Sequence, residues 1–149
     1  MKNASDIMTK EVITVSLETT VQELAQLFAT HGISGAPVID PDGRVLGVVT
    51  ESDLIDQNKK VHIPTIVTIL DSFFFLENPD KMEQEMRKIA GATVADIYSS
   101  PAVTVTVQTP VDEIATIMSE KNVHTLPVVD NGQLQGVIGK KDIIRTIAG

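Results

Sequence analysis

Residues 36–55 read APVIDPDGRVLGVVTESDLI, and residues 126–144 read LPVVDNGQLQGVIGKKDII. Each stretch predicts two short apolar strands joined by a tight turn and followed by a helix. In the first, Ala36–Ile39 and Val45–Val49 flank Asp40-Pro-Asp-Gly43. Asp, Pro and Gly at those positions favour a turn for separate steric and hydrogen-bonding reasons. In the second, Asp130-Asn-Gly132 makes the join and the following strand runs Leu134–Ile138. The second turn is one residue shorter, so the offset between the copies falls from 90 to 89.

The repetition extends upstream. DIMTKEVITVSLETTVQELAQLF (6–28) lies against DIYSSPAVTVTVQTPVDEIATIM (96–118). A repeat of this kind governs the fold and is sought before anything else. Val12–Ser16 alternates and is β-branched, which predicts a strand. Thr19 is read as the helix opener, with Gln22 completing a capping box. In the second copy Thr109 is read as the cap, with Pro110 in the first helical position, where its missing N–H costs nothing. Val21, Leu24, Ala25 and Phe28 have helical spacing, as do Val111, Ile114, Ala115 and Met118.

The fold class expected is therefore α/β (α+β), with two tandem β-α-β-β-α repeats. A three-stranded sheet with two helices on one face buries little alone, so the copies are expected to pack face to face as one unit. The expected domains are 1–56, an insert over 57–93, and 94–149. The insert is too apolar for a flexible linker. Within it Asp80, Glu83 and Gly91 mark the ends of a helix over 80–90. Residues 64–76 read as an ordered segment, with Phe73, Phe74 and Phe75 packing on the core or on a partner subunit.

The chain has 149 residues, 12 basic and 20 acidic, for a net charge of −8. That balance argues against nucleic-acid binding, which needs clustered Lys and Arg, and against an anionic membrane surface. Neither a signal peptide nor a membrane span is read in it, so a cytoplasmic protein is expected. Zero cysteines exclude disulfides, thiolate metal sites and a cysteine nucleophile. The three histidines, His31, His62 and His124, lack mutual metal-ligand spacing. No GxSxG, HExxH, Walker loop or GxGxxG occurs, and no carboxylates pair as acid and base, so no enzyme and no cofactor are expected.

The residues that invite chemistry are Gly47-Val-Val-Thr50-Glu-Ser-Asp53 and Gly136-Val-Ile-Gly139-Lys-Lys-Asp142. Each lies where an apolar strand turns into a helix. A helix N-terminus offers unpaired N–H groups and a positive dipole end to an anion. The Thr50 hydroxyl can donate to a phosphate oxygen, and Asp53 can accept from a ribose diol. Thr50 with Asp53 is equally a helix cap that needs no ligand. Lys140 and Lys141 oppose the dipole of their helix, and a bound polyphosphate would reverse that sign.

The repeat resembles the CBS domain, and the pair resembles a Bateman module. The resemblance rests on Ala36-Pro37-Val38 with Gly47, Thr50 and Asp53, and on Pro127-Val128 with Gly136 and Asp142. Gly139 departs from the motif and brings no hydroxyl. The resemblance implies two clefts between the copies for adenine-containing ligands: AMP, ADP, ATP, S-adenosylmethionine, NAD-type dinucleotides or cyclic di-AMP. It implies that one cleft joins Thr50 and Asp53 to Tyr98, Ala102, Val103, Val123, His124 and Thr125. The other joins Gly139, Lys140 and Asp142 to Met8, Val12, Ile13, Ile33, Ser34 and Gly35. It implies a stand-alone regulatory module that binds an adenine nucleotide, forms a homodimer and reports to a regulated protein. The alternative is a structural dimerisation module with degenerate pockets.

Overall fold

The computed structural model describes residues 2–61 and 92–149. The helix expected over 80–90, the segment 64–76 and the three phenylalanines lie outside the described residues. The elements are α1 (Ala4–Ile7), α2 (Val21–His31), β1 (Gly35–Ile39), β2 (Val45–Thr50), α3 (Glu51–Val61), α4 (Val94–Ile97), α5 (Val111–Lys121), β3 (Thr125–Asp130), β4 (Gln133–Gly139) and α6 (Lys140–Ala148).

Each copy folds around an antiparallel hairpin, β1–β2 or β3–β4. The Asp40 carboxylate closes the first turn by accepting from the amides of Asp42 and Arg44, both at 2.9 Å. The shorter second turn is closed by Asn131 and Gly132 at φ 52° and 80°, a backbone that Asn-Gly adopts at low cost. The strand expected over Val12–Ser16 is reduced to one parallel bridge, in which Val15 donates to Pro37 O at 3.0 Å and accepts from Ile39 N at 2.9 Å. Pro37 brings no N–H, and the Ser16 amide is taken by the Thr19 hydroxyl at 3.1 Å. The ladder therefore stops after one step. Val105 and Val128 repeat the arrangement.

That use of Thr19 corrects the helix start. The cap of α2 is Thr20, which accepts from Glu23 N at 3.0 Å while Glu23 Oε1 accepts from Thr20 N at 3.2 Å. The cap of α5 is Pro110, and Val111 is its first residue. Thr109 is engaged as Thr19 is, accepting from Thr106 N at 3.0 Å. On α2 the buried face is Val21, Leu24 and Phe28; Ala25 is exposed and Leu27 packs on the core instead.

The packing cuts across the repeat. Val94 of α4 is buried with Val15, Leu24, Phe28, Ala36, Val38 and Val49 of the first copy. Ala4 of α1 is buried with Val105, Ile114, Met118, Leu126, Val128, Ile138 and Ile143 of the second. The short helices are tied down by backbone bonds as well. Val94 N donates to Thr19 O at 2.8 Å, and Ala4 N donates to Thr109 O at 2.9 Å. Each copy thus lends its first helix to the other's core. Burying a Leu or Ile there contributes about 1.5–3 kcal/mol, and the exchange makes both cores depend on both copies. Among the described residues, no helix is long and apolar enough to cross a membrane.

Candidate ligand-binding groove

The exchange carries two short straps over the hairpins. After α4, Ser99 exchanges backbone hydrogen bonds with Val48, at 2.9 and 3.1 Å. After α1, Thr9 does the same with Val137, at 2.9 and 3.0 Å. Gly47 and Gly136 make this approach possible. A Cβ at Gly47 would overlap the Ser99 carbonyl and the Tyr98 ring, and one at Gly136 would overlap Met8 and the Thr9 carbonyl.

At the end of β2, Thr50 and Asp53 form a reciprocal cap on α3. Asp53 Oδ2 accepts from Thr50 N at 2.8 Å and from Thr50 Oγ1 at 3.1 Å, and Thr50 Oγ1 accepts from Asp53 N at 3.3 Å. The strap adds Ser99 Oγ, which donates to Asp53 Oδ1 at 3.4 Å. At the end of β4 only the carboxylate half of that cap survives. Asp142 Oδ2 accepts from Gly139 N at 2.8 Å, and Asp142 Oδ1 lies 3.9 Å from the Arg145 guanidinium.

The caps face a groove of about 920 Å³. Thr50, Ala102, Val103, Val123, His124 and Thr125 line it, and so do Ile13, Ile33, Ser34, Gly35, Gly139, Lys140 and Asp142. Residues assigned to two clefts therefore line one continuous groove, because β1 and β3 meet at Gly35 and Thr125 with no large side chain between them. Asp53, Tyr98, Met8 and Val12 are not among its lining residues. Tyr98 and Met8 fill the space over the two glycines and pack on the cores. Asp53 is taken up by Thr50 and Ser99.

The groove also takes in Lys141, which the sequence marked beside Lys140, and residues outside the sequence-based set, notably Glu11, Ser99, Pro101 and Arg145. Glu11 and Pro101 occupy corresponding positions in the two copies, so the repeat itself pairs them. Arg145 stands one helical turn beyond Asp142, a spacing at which acid and base meet. No group of His, Asp and Glu side chains among the described residues is placed to hold a metal ion.

The family model of the CBS domain matches residues 4–60 and 94–149. The chain belongs to the CBS-domain family. A CBS domain-containing protein of Dictyostelium discoideum is 30% identical over 139 residues, which cover 93% of this chain and 86% of that protein. Some relatives are far longer, and the chain spans 31% of one of them. Among solved structures, Arabidopsis thaliana CBSX2 in complex with AMP matches with a TM-score of 0.74 at 24% identity, covering 99% of this chain and 97% of that one. The CBS domain pair of protein MJ0100, in complex with 5′-methylthioadenosine and S-adenosyl-L-methionine, matches with a TM-score of 0.76 at 23% identity, covering 100% and 98%. At these identities the likeness is one of fold. The exchanged, face-to-face pair is therefore a tandem CBS arrangement, a Bateman module.

Proposed function

We propose that this CBS pair is a regulatory module that binds an adenine nucleotide or adenosyl compound, of the AMP, ADP or ATP class, in the groove between its copies and reports occupancy to another protein. The observation that carries this reading is the single groove into which both helix N-termini open. Apolar liners such as Ile13, Ile33, Val103 and Val123 suit an adenine ring. The turns at Thr50 and Gly139 suit phosphate and ribose oxygens. Two neighbours of the same fold hold adenosyl ligands. Asp53 serves the site from behind, by holding the Thr50 amide and hydroxyl in place. We also propose a homodimer. Ile55 on α3 and Ile144 on α6 occupy corresponding positions and are 63% and 60% exposed, with Ile147 at 80%. A second copy would cover them through closed two-fold pairing.

The test is a thermal-shift panel of AMP, ADP, ATP, adenosine and S-adenosylmethionine at matched ionic strength. A ligand that binds only the native state adds RT ln(1 + [L]/Kd), about 2.7 kcal/mol at a hundredfold excess over Kd. A clear rise with at least one adenine compound and none with guanosine analogues is expected. No rise with any adenine compound would refute the proposal and favour a purely structural pair.

A further inference from the structure

The two ends of the groove share one floor. Gly35 pairs with Thr50 across β1–β2, and Thr125 pairs with Gly139 across β3–β4. Gly35 and Thr125 meet between the hairpins, so closely that a Cβ at Gly35 would overlap the Thr125 hydroxyl. The four residues form a row from one helix N-terminus to the other. At about 5 Å per interstrand step it is on the order of 15 Å long.

Thr125 is the one buried polar side chain among the described residues, 9% exposed, and it lines the groove. Its hydroxyl makes no hydrogen bond to any described residue. Buried hydroxyls are normally satisfied, so one with no described partner at the wall of the groove is available to a ligand oxygen. The charges are arranged unequally about that floor. Among the described residues, every Lys and Arg lining the groove (Lys140, Lys141 and Arg145) belongs to α6, whereas α3 brings Glu51 and Ser52. The other ionisable liners among the described residues are Glu11, Asp142 and His124.

Building on the adenosyl reading of the groove, we infer that it holds one polyphosphate tail at a time, seated at the α6 end and hydrogen-bonded by Thr125. Two molecules of ATP exclude one another, while one ATP and one uncharged adenosine compound fit together. A second tail would enter beside Glu51, where the described residues bring no Lys or Arg to neutralise it. It would lie within about 15 Å of the first, in a part-buried groove where salt screens less than in open solution. Either tail, on reaching the floor, would compete for the same hydroxyl.

Calorimetry on the full chain tests this. ATP is expected to saturate at one per chain, and the ATP-saturated protein is expected still to take up one 5′-methylthioadenosine. Thr125→Val should weaken ATP about tenfold or more, the effect of losing a hydrogen bond to a charged group. Thr125→Ser, which keeps the hydroxyl, should restore most of it. Two ATP bound per chain with comparable affinity would overturn the inference and leave the adenosyl reading standing. Unchanged ATP affinity in a folded Thr125→Val variant would remove Thr125 from the floor. Failure of every adenine compound to bind would overturn both the inference and the reading beneath it.

Discussion

Gly47 lies directly beneath the Ser99 carbonyl, so closely that a Cβ on Gly47 would overlap it. The glycine of the strand-to-helix motif is thus a contact surface for a strap from the other copy. Gly47→Ala should lower the unfolding free energy by about 1–3 kcal/mol, the cost of forcing a methyl into a packed site. Gly136→Ala should cost less, because its backbone obstacle, the Thr9 carbonyl at 2.9 Å, stands farther off than the Ser99 carbonyl does at Gly47, and its closer one is the flexible Met8 side chain. Urea denaturation of both variants checks the order, and equal losses would contradict it.

Asp53 holds Thr50 through two hydrogen bonds and meets Ser99 through a third. Asp53→Ala should cost about 1 kcal/mol of stability through the lost cap and N-terminal charge. It should weaken adenosine nucleotides by about 1 kcal/mol, because the turn they contact loses the carboxylate that holds the Thr50 amide and hydroxyl in place. Denaturation and calorimetry read the two effects separately. Unchanged affinity with reduced stability would leave the motif as a cap alone.

Lys140 and Lys141 sit in the first turn of α6 and line the groove. Replacing both with Ala should raise the stability of the empty protein by a few tenths of a kcal/mol each, up to about 1 kcal/mol, because cations there oppose the helix dipole. The same change should weaken ATP and flatten its salt dependence, since exposed charges are screened within about 10 Å at 0.1 M salt. The opposite signs are the signature to seek, with melting on the empty protein and calorimetry at low and high salt. Normal ATP affinity in the double variant would place both lysines in solvent.

Ile144 and Ile147 project from α6 with most of their surface exposed. Sedimentation of the native chain is expected to give the mass of a dimer. Ile144→Glu with Ile147→Glu should give a monomer of unchanged secondary structure, because two carboxylates cannot be buried there unpaired. A monomeric native chain would count against the pairing.

Much of the architecture is local in origin and therefore legible. Both hairpins follow from their apolar strands and from Asp-Pro-Asp-Gly and Asp-Asn-Gly turns. The starts of α3 just after Thr50 and of α6 just after Gly139 follow from a cap position with an acid three residues on. The repeat declares that whatever holds for one copy holds for the other. The errors are also local. Thr19 and Thr109 lie one residue before the caps, because a threonine hydroxyl closes a preceding turn as readily as it caps a helix.

The sequence by itself determined the repeated hairpin-and-helix unit, the two capped turns and the surplus of lysine at the second. All of these depend on residues within a few positions of one another. Only the tertiary structure decided that α1 and α4 trade places. Ala4 and Val94 present the same small apolar patch to two cores of the same pattern, so no local preference separates staying from crossing. That choice brings Ser99 over Gly47 and Met8 over Gly136, which moves Tyr98 and Met8 out of the groove. It also sets Gly35 against Thr125, a contact between equivalent positions of the two copies that neither copy encodes alone. There a missing side chain on one copy makes room for a hydroxyl on the other, and the two expected clefts become one groove.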